Sequence, residues 1–290
     1  HQEGMVLHGS GWPLSDTHSN GGWWLYFDEN NQVSFGMVID LSYHNPYLSP
    51  FDELQRLKTH PLIRNILEGG KRLSYGARAL TKGGLNSLPK LYFAGGVLVG
   101  DDAGFLNPAK IKGTHTAIKS GMLAAEAVYE AIAAGRQHDE VPTYEQKFKA
   151  SWLYNDMYQA RNFANAMHRM GIWMGGAFNF LEQNIFKGKM PLTIRDRMPD
   201  YDVLERADHA YIPEYPKPDG KLTFDKLSSV FISNTNHAED QPCHLKLTDP
   251  EVPIKRNLKI FAEPAQRYCP AGVYEVVQSD SGAKFVINSQ

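Results

Sequence analysis

Gly95-Gly96-Val97-Leu98-Val99-Gly100-Asp101-Asp102-Ala103-Gly104-Phe105-Leu106-Asn107-Pro108, running on into Ile111-Lys112-Gly113-Thr114-His115-Thr116-Ala117, is the stretch on which the fold turns. Apolar runs at 91–94 and 97–99 predict short buried strands, and 100–112 predicts a Gly/Pro/Asn-punctuated loop. Ile118, Gly121, Met122, Ala125, Val128 and Ile132 then predict one face of a helix that stops at Gly135. A strand thus ends in an acidic tip, and a loop feeds a helix N-terminus. Asp101 can accept hydrogen bonds from polyol hydroxyls there. The free N–H groups and positive dipole end at 113–116 suit an electron-rich carbonyl or a developing anion, such as N1 and O2 of a reduced flavin. The same run reads equally as an ordinary Gly-rich strand-to-helix turn.

Upstream, residues 1–90 read as strands and turns with one short helix. The β-type runs 23–27 and 33–39 flank the turn residues 28–31. Pro50 marks a helix start, with Phe51, Leu54 and Leu57 at helical spacing. Gly21-Gly22 would let a flat ring approach the backbone closely, and would equally serve as a hairpin or bulge pair. Downstream, 141–200 reads as mostly helical. Met170, Trp173, Met174, Ala177, Phe178, Leu181 and Ile185 form one apolar stripe, flanked by Arg161, His168 and Arg169 and by Lys187, Lys189, Arg195 and Arg197. Such a helix suits insertion into one leaflet, or a core position with a solvated basic collar. Gly171 and Gly175, four apart, permit close helix packing. Residues 212–220, with three prolines, read as an extended linker before a small module of short strands and turns.

The bulk numbers set limits. The chain has 290 residues, 42% of them apolar, enough for about two domains. A formal charge of −2 and a pI near 6.6 indicate no nucleic-acid partner. Cys243 and Cys269 alone argue against a disulfide-stapled secreted domain. No run of about 20 apolar residues exists, so no conventional membrane-spanning helix is expected. The absence of Met at His1 and the strand-like run before Gln290 make both ends read as cut.

Longer runs carry a resemblance. Asn45-Pro46-Tyr47-Leu48-Ser49-Pro50-Phe51, Leu67-Glu68-Gly69-Gly70-Lys71-Arg72, Tyr75-Gly76-Ala77-Arg78-Ala79-Leu80, Lys110–Ala117, Glu214-Tyr215-Pro216-Lys217-Pro218-Asp219-Gly220 and Arg267-Tyr268-Cys269-Pro270-Ala271-Gly272-Val273-Tyr274-Glu275 resemble electron-transfer flavoprotein:ubiquinone oxidoreductase, in that family's order. The resemblance implies an α/β fold: part of a glutathione-reductase-like FAD domain, an inserted mixed-sheet quinone domain, a helical membrane-contact segment and a C-terminal ferredoxin-like module. On this chain the segments would be 1–90 quinone sheet, 91–140 FAD domain, 141–211 membrane contact and 212–290 start of the [4Fe–4S] module.

The resemblance also implies roles. Gly100, Asp101, Gly104, Gly113 and Thr114 would hold FAD, without the G-x-G-x-x-G that carries the ADP half and that would lie upstream of His1. Gly21 and Gly22 would line the ubiquinone pocket, walled by Gly11-Trp12-Pro13-Leu14. Cys269-Pro270 would be the remote ligand of a [4Fe–4S] cluster, the other three following Gln290 as C-x₂-C-x₂-C. Cys243 matches no ligand position, and His115 is the nearest candidate for moving protons. Electrons would pass from reduced electron-transfer flavoprotein to ubiquinone at an inner-membrane surface, facing the bacterial cytoplasm or the mitochondrial matrix. The fragment alone would be inactive. The alternatives are a polyprenyl reductase or nitrogen-fixation electron-transfer flavoprotein, or a non-catalytic docking and partner-binding piece.

Overall fold

Aromatic and β-branched residues at 21–39 form an antiparallel hairpin, and a third strand joins it. The structure is a computed structural model that describes residues 2–196, 198–238, 240–280 and 282–288. β1 (Val6–Gly9), β2 (Gly21–Phe27) and β3 (Val33–Ile39) form a sheet in that order, with Trp23 opposite Met37 and Leu25 opposite Phe35. α1 (Pro50–Lys58) starts where its signals place it. Ser49 Oγ accepts the Asp52 N–H at 3.4 Å, and Pro50 occupies the first turn, where no donor is needed. A second helix, α2 (Pro61–Leu67), exceeds the one expected; Pro61 and the His60 ring repeat the same start signal. Leu57 and Ile63 from these helices close on Leu25 and Phe27 of the sheet.

The chain forms two compact units, residues 1–77 with 198–290, and residues 78–197. In the second, the expected buried strands are short. β4 (Tyr92–Phe93) and β5 (Gly96–Val97) make a two-rung antiparallel pair, and Phe93 and Val99 are exposed. α3 (Thr114–Ala133) buries the face opposite to the expected one. Thr116, Ser120, Leu123, Ala124, Ala127 and Ala131 are inside, while Ile118, Met122 and Ile132 lie outside. Small side chains let α4 (Pro142–Ala150) and α5 (Trp152–Gln159) come close, and Leu91, Phe105, Tyr144, Phe148 and Met157 fill the core.

α6 (Phe163–Phe180) is folded, not straight: Gly171 takes φ 68° and ψ −177°, and the chain reverses there. A Cβ on Gly175 would lie 2.7 Å from the Ala166 carbonyl oxygen, and Asn179 Nδ2 donates to the Phe163 carbonyl at 3.0 Å. The two glycines thus have different jobs, one turning the chain and the other admitting a backbone. A π-turn at Leu181–Ile185 follows. No described helix is long and apolar enough to cross a membrane.

The first unit resumes at 198. The Pro-rich stretch is extended, as its prolines imply, but it is anchored. The Tyr215 hydroxyl donates to Glu53 Oε1 at 2.8 Å and accepts the Ser49 N–H at 3.0 Å. α7 (Lys226–Phe231), α8 (Lys259–Phe261) and α9 (Ala265–Tyr268) follow, then the hairpin β6 (Tyr274–Ser279) and β7 (Gly282–Ile287).

Candidate functional site

The loop before α3 is built by its own hydrogen bonds. Gly100 and Gly104 sit at φ 68° and 98°, where other residues are strained. Phe105 N–H donates to the Gly100 carbonyl at 3.0 Å, Gly104 N–H to the Asp101 carbonyl at 2.9 Å, and Gly100 N–H to Ser120 Oγ at 3.0 Å. The Thr116 hydroxyl ties the Phe105 carbonyl to the first helical turn. Asp101, about a third exposed, meets Arg78 at 3.4 Å. Gly113 stands at the N-cap of α3 with no side-chain cap, and Thr114 beside it is exposed. A Cβ on Gly113 would touch only Leu106, at 3.7 Å. A helix start with no side-chain cap fits an electron-rich ring carbonyl.

Asn107 and Asp156 were not singled out from sequence. Asn107 is buried; its Oδ1 accepts the N–H groups of Ala109 and Lys110, and its Nδ2 donates to Asp156 Oδ2 at 2.8 Å. Asn-Pro was the one available signal, as a turn former. His115 Nε2 lies 3.2 Å from Asp156 Oδ2 and its ring stacks on Trp152. Burial works against the Asp156 carboxylate, yet hydrogen bonds from Lys110, Asn107 and His115 hold its pKa down. His115 is thus a hydrogen-bond partner of Asp156.

Gly21 and Gly22 open β2. A Cβ on Gly21 would lie 2.2 Å from the Val38 carbonyl oxygen and 2.6 Å from Leu14 Cδ1; one on Gly22 would lie 2.7 Å from the Gly9 carbonyl oxygen. Close strand approach thus accounts for both glycines, and Leu14 of the upstream motif does pack beside them. Trp12 of the same motif lies against His60, with the Arg56 guanidinium 5.5 Å from its ring.

Cys269, buried, caps the C-terminus of α9. Its Sγ accepts the Val273 N–H at 3.4 Å, and its carbonyl accepts Lys226 Nζ at 3.0 Å. The Tyr75 hydroxyl donates to the Pro270 carbonyl at 3.0 Å; burial, with Cys269 nearby, pushes its pKa up to about 12. A buried sulfur accepting a backbone N–H suits one ligand of an iron–sulfur cluster. Among the described residues no group of three or more His, Cys, Asp or Glu converges. Cys243 is exposed.

The folded α6 and the π-turn carry the apolar surface. Trp173 is 86% exposed, Met174 69%, Phe180 64% and Ile185 61%, and Leu181 is also exposed. Met170 and Phe178, expected on the stripe, are half-buried where the helix folds back on itself at Gly171. The basic flank is smaller than expected. Arg161 is buried and His168 pairs with Asp196, whereas Arg169, Lys187, Lys189 and Arg195 are exposed. Arg197 lies outside the described residues.

A family model described as ETF-QO, ubiquinone-binding, matches residues 1–80. Another, described as electron transfer flavoprotein-ubiquinone oxidoreductase, 4Fe-4S, matches residues 220–290. The chain is 61% identical over 308 aligned residues to a probable electron transfer flavoprotein-ubiquinone oxidoreductase of Acinetobacter baylyi, covering 100% of this chain and 54% of that protein. It is 62% identical over 292 residues to the Pseudomonas aeruginosa electron transfer flavoprotein-ubiquinone oxidoreductase, covering 100% and 53%. The mitochondrial counterpart of Homo sapiens is 46% identical over 297 residues, covering 99% and 48%. The chain spans about half the length of the curated relatives it matches.

Proposed function

The chain belongs to the electron transfer flavoprotein-ubiquinone oxidoreductase family, and on that premise we propose that its protein carries electrons from reduced electron transfer flavoprotein, through FAD and a [4Fe–4S] cluster, to ubiquinone at an inner-membrane surface. The observation that carries this is the presence of a ubiquinone-binding match and a 4Fe-4S match in one chain. A flavin supplies stable one- and two-electron states, so single electrons can be gathered for a two-electron acceptor.

The residues divide that work. Gly100 and Gly104 shape the loop that presents Asp101 to the cofactor's polyol hydroxyls. Gly113 and Thr114 leave the start of α3 open to the flavin ring. Gly21 and Gly22 let the neighbouring strands and Leu14 close in beside them, and that region would form one wall of the quinone site. Cys269 contributes one cluster sulfur, so the other three thiolates come from outside these residues. The apolar tip and turn of 170–186 rest in one leaflet. In this reading the segments 1–90, 91–140, 141–211 and 212–290 serve quinone, FAD, membrane and cluster within a glutathione-reductase-like α/β parent. The 290 residues by themselves would act only as a docking and partner-binding piece.

The test is Cys269→Ser in the full-length protein. Iron, acid-labile sulfide and the cluster's EPR signal should be lost or sharply reduced, while FAD stays bound. Full cluster content in the variant would remove the iron–sulfur module from this reading. In the same background, Asp101→Ala should weaken FAD retention. Asp101 is partly exposed and shared with Arg78, so the lower end of a charged hydrogen bond applies, about 1.5 kcal/mol or roughly tenfold in affinity. Flavin content measured after dialysis checks it, and unchanged content would remove Asp101 from the cofactor site.

A further inference from the structure

We propose that the first unit carries an anion-binding cleft, lined by Arg64, Lys71, Arg72 and Lys221 beside the Phe224 ring, that takes a soluble phosphate-class polyanion. The cleft is open to solvent and has a volume of about 560 Å³, within the size range of small-ligand sites. Its walls are the end of α2, the turn at 68–72 and the turn at 219–224. Gly69 and Gly220, at φ 80° and 70°, bend the two turns in a way other residues resist.

The charge balance is positive. Asp219 and Glu68 are the acids of the lining. Asp219 is already committed: its Oδ1 accepts the N–H groups of Lys221, Leu222 and Thr223 at 2.9, 2.8 and 2.9 Å, which hold its carboxyl well below the usual range. It builds the turn and stays ionised, so the four cations of the lining face two carboxylates, a net positive balance. Arg64, Lys71 and Lys221 are exposed and make no ion pair among the described residues. Arg72 is held in place before any ligand arrives. Its guanidinium donates to Ser229 Oγ at 2.7 Å and to the Ser228 carbonyl and hydroxyl at 3.3 Å, and it stacks 4.0 Å from the Phe224 ring centre.

Lys58 lies behind the Phe224 ring. Its Nζ lies 5.2 Å from the same ring and donates to Gln55 Oε1. Burial, with Arg72 beside it and Asp219 only partly opposing, pushes its pKa down to about 8. Four cations thus share one concavity with two carboxylates. A planar guanidinium fork with flexible ammonium groups around it is the donor set that suits phosphate oxygens. Occupancy would tie the 68–72 turn to the 219–224 turn and, through Arg72, to α7.

The experiment titrates the full-length protein with sodium pyrophosphate by calorimetry, against sodium chloride at matched ionic strength. The expected result is saturable binding that weakens at least tenfold in Lys71→Glu/Lys221→Glu, both substitutions at exposed positions. A second arm replaces pyrophosphate with phosphatidylglycerol vesicles, whose binding the variant should retain. Heats equal to those of chloride, or equal affinity in the variant, would overturn the proposal. So would loss of vesicle binding by the variant with no pyrophosphate binding by wild type, which would make the cleft a lipid headgroup site.

Discussion

Full-length protein carrying Trp173→Asp and Phe180→Asp is expected to remain in the supernatant when wild type co-sediments with anionic liposomes. Trp173 and Phe180 are 86% and 64% exposed, near the tip and on the second arm of the folded α6. Phe178 is the weaker choice, because half of it already packs within the unit. Full burial of a large apolar side chain contributes about 1.5–3 kcal/mol. Half of that at two positions is still ~2 kcal/mol, more than tenfold in partitioning, before the cost of submerging two carboxylates. Exposed Arg169, Lys187, Lys189 and Arg195 add about 1 kcal/mol each near an anionic surface. That contribution should fade at high salt, whereas the apolar one should persist. A variant that stays in solution yet reduces a soluble short-tail quinone separates docking from chemistry. A variant that sediments like wild type would place the membrane contact elsewhere.

What the sequence disclosed followed from where local chemistry and tertiary packing agree. Ser49-Pro50 and the spacing of Phe51, Leu54 and Leu57 specify α1 because cap, proline and apolar face all point to one structure. The strands at 21–39 are legible for the same reason. α3 misleads because its large apolar residues do not mark the inside. Its Ala, Ser and Thr face is buried so that α4 and α5 can approach, and Ile118, Met122 and Ile132 are left outside. The reversal at Gly171 is hidden because apolar residues continue at helical spacing through it, so periodicity alone cannot see a single residue at positive φ. In the candidate site the loop and the uncapped helix start were readable. Asn107 and Asp156 were not, since a buried amide joined to a carboxylate 49 residues away leaves no local pattern.

Arg161 shows the same limit with the larger consequence, for its sequence neighbourhood reads as a basic flank while the fold uses it as a hub. It is 4% exposed, and its guanidinium donates to the carbonyls of Tyr158, Gly188, Met190 and Leu192 at 2.8, 2.6, 2.5 and 3.1 Å and to Thr193 Oγ1 at 3.3 Å. Asn162 reinforces it, donating to Glu182 Oε1 at 2.6 Å and accepting the Ile194 N–H at 2.8 Å. Together they hold 188–194, the segment that contains exposed Lys189 and follows exposed Lys187. Arg161→Ala strips four carbonyls and a hydroxyl of one shared donor. Each unsatisfied buried group costs about 1–3 kcal/mol, and water can reach the more exposed part of 190–193, so the net loss should be about 3–4 kcal/mol. Limited proteolysis of the full-length protein should then cut within 186–194 at protease levels that leave wild type intact. Arg161→Lys, which keeps the charge but lacks the fork, should fall between the two, and Arg169→Ala at an exposed position should change little. Protection of 186–194 in Arg161→Ala equal to that in wild type would mean that the segment is held by its apolar contacts alone. Loss of protection in Arg161→Ala together with weaker, less salt-sensitive liposome binding would tie the buried hub to the presentation of Lys187 and Lys189.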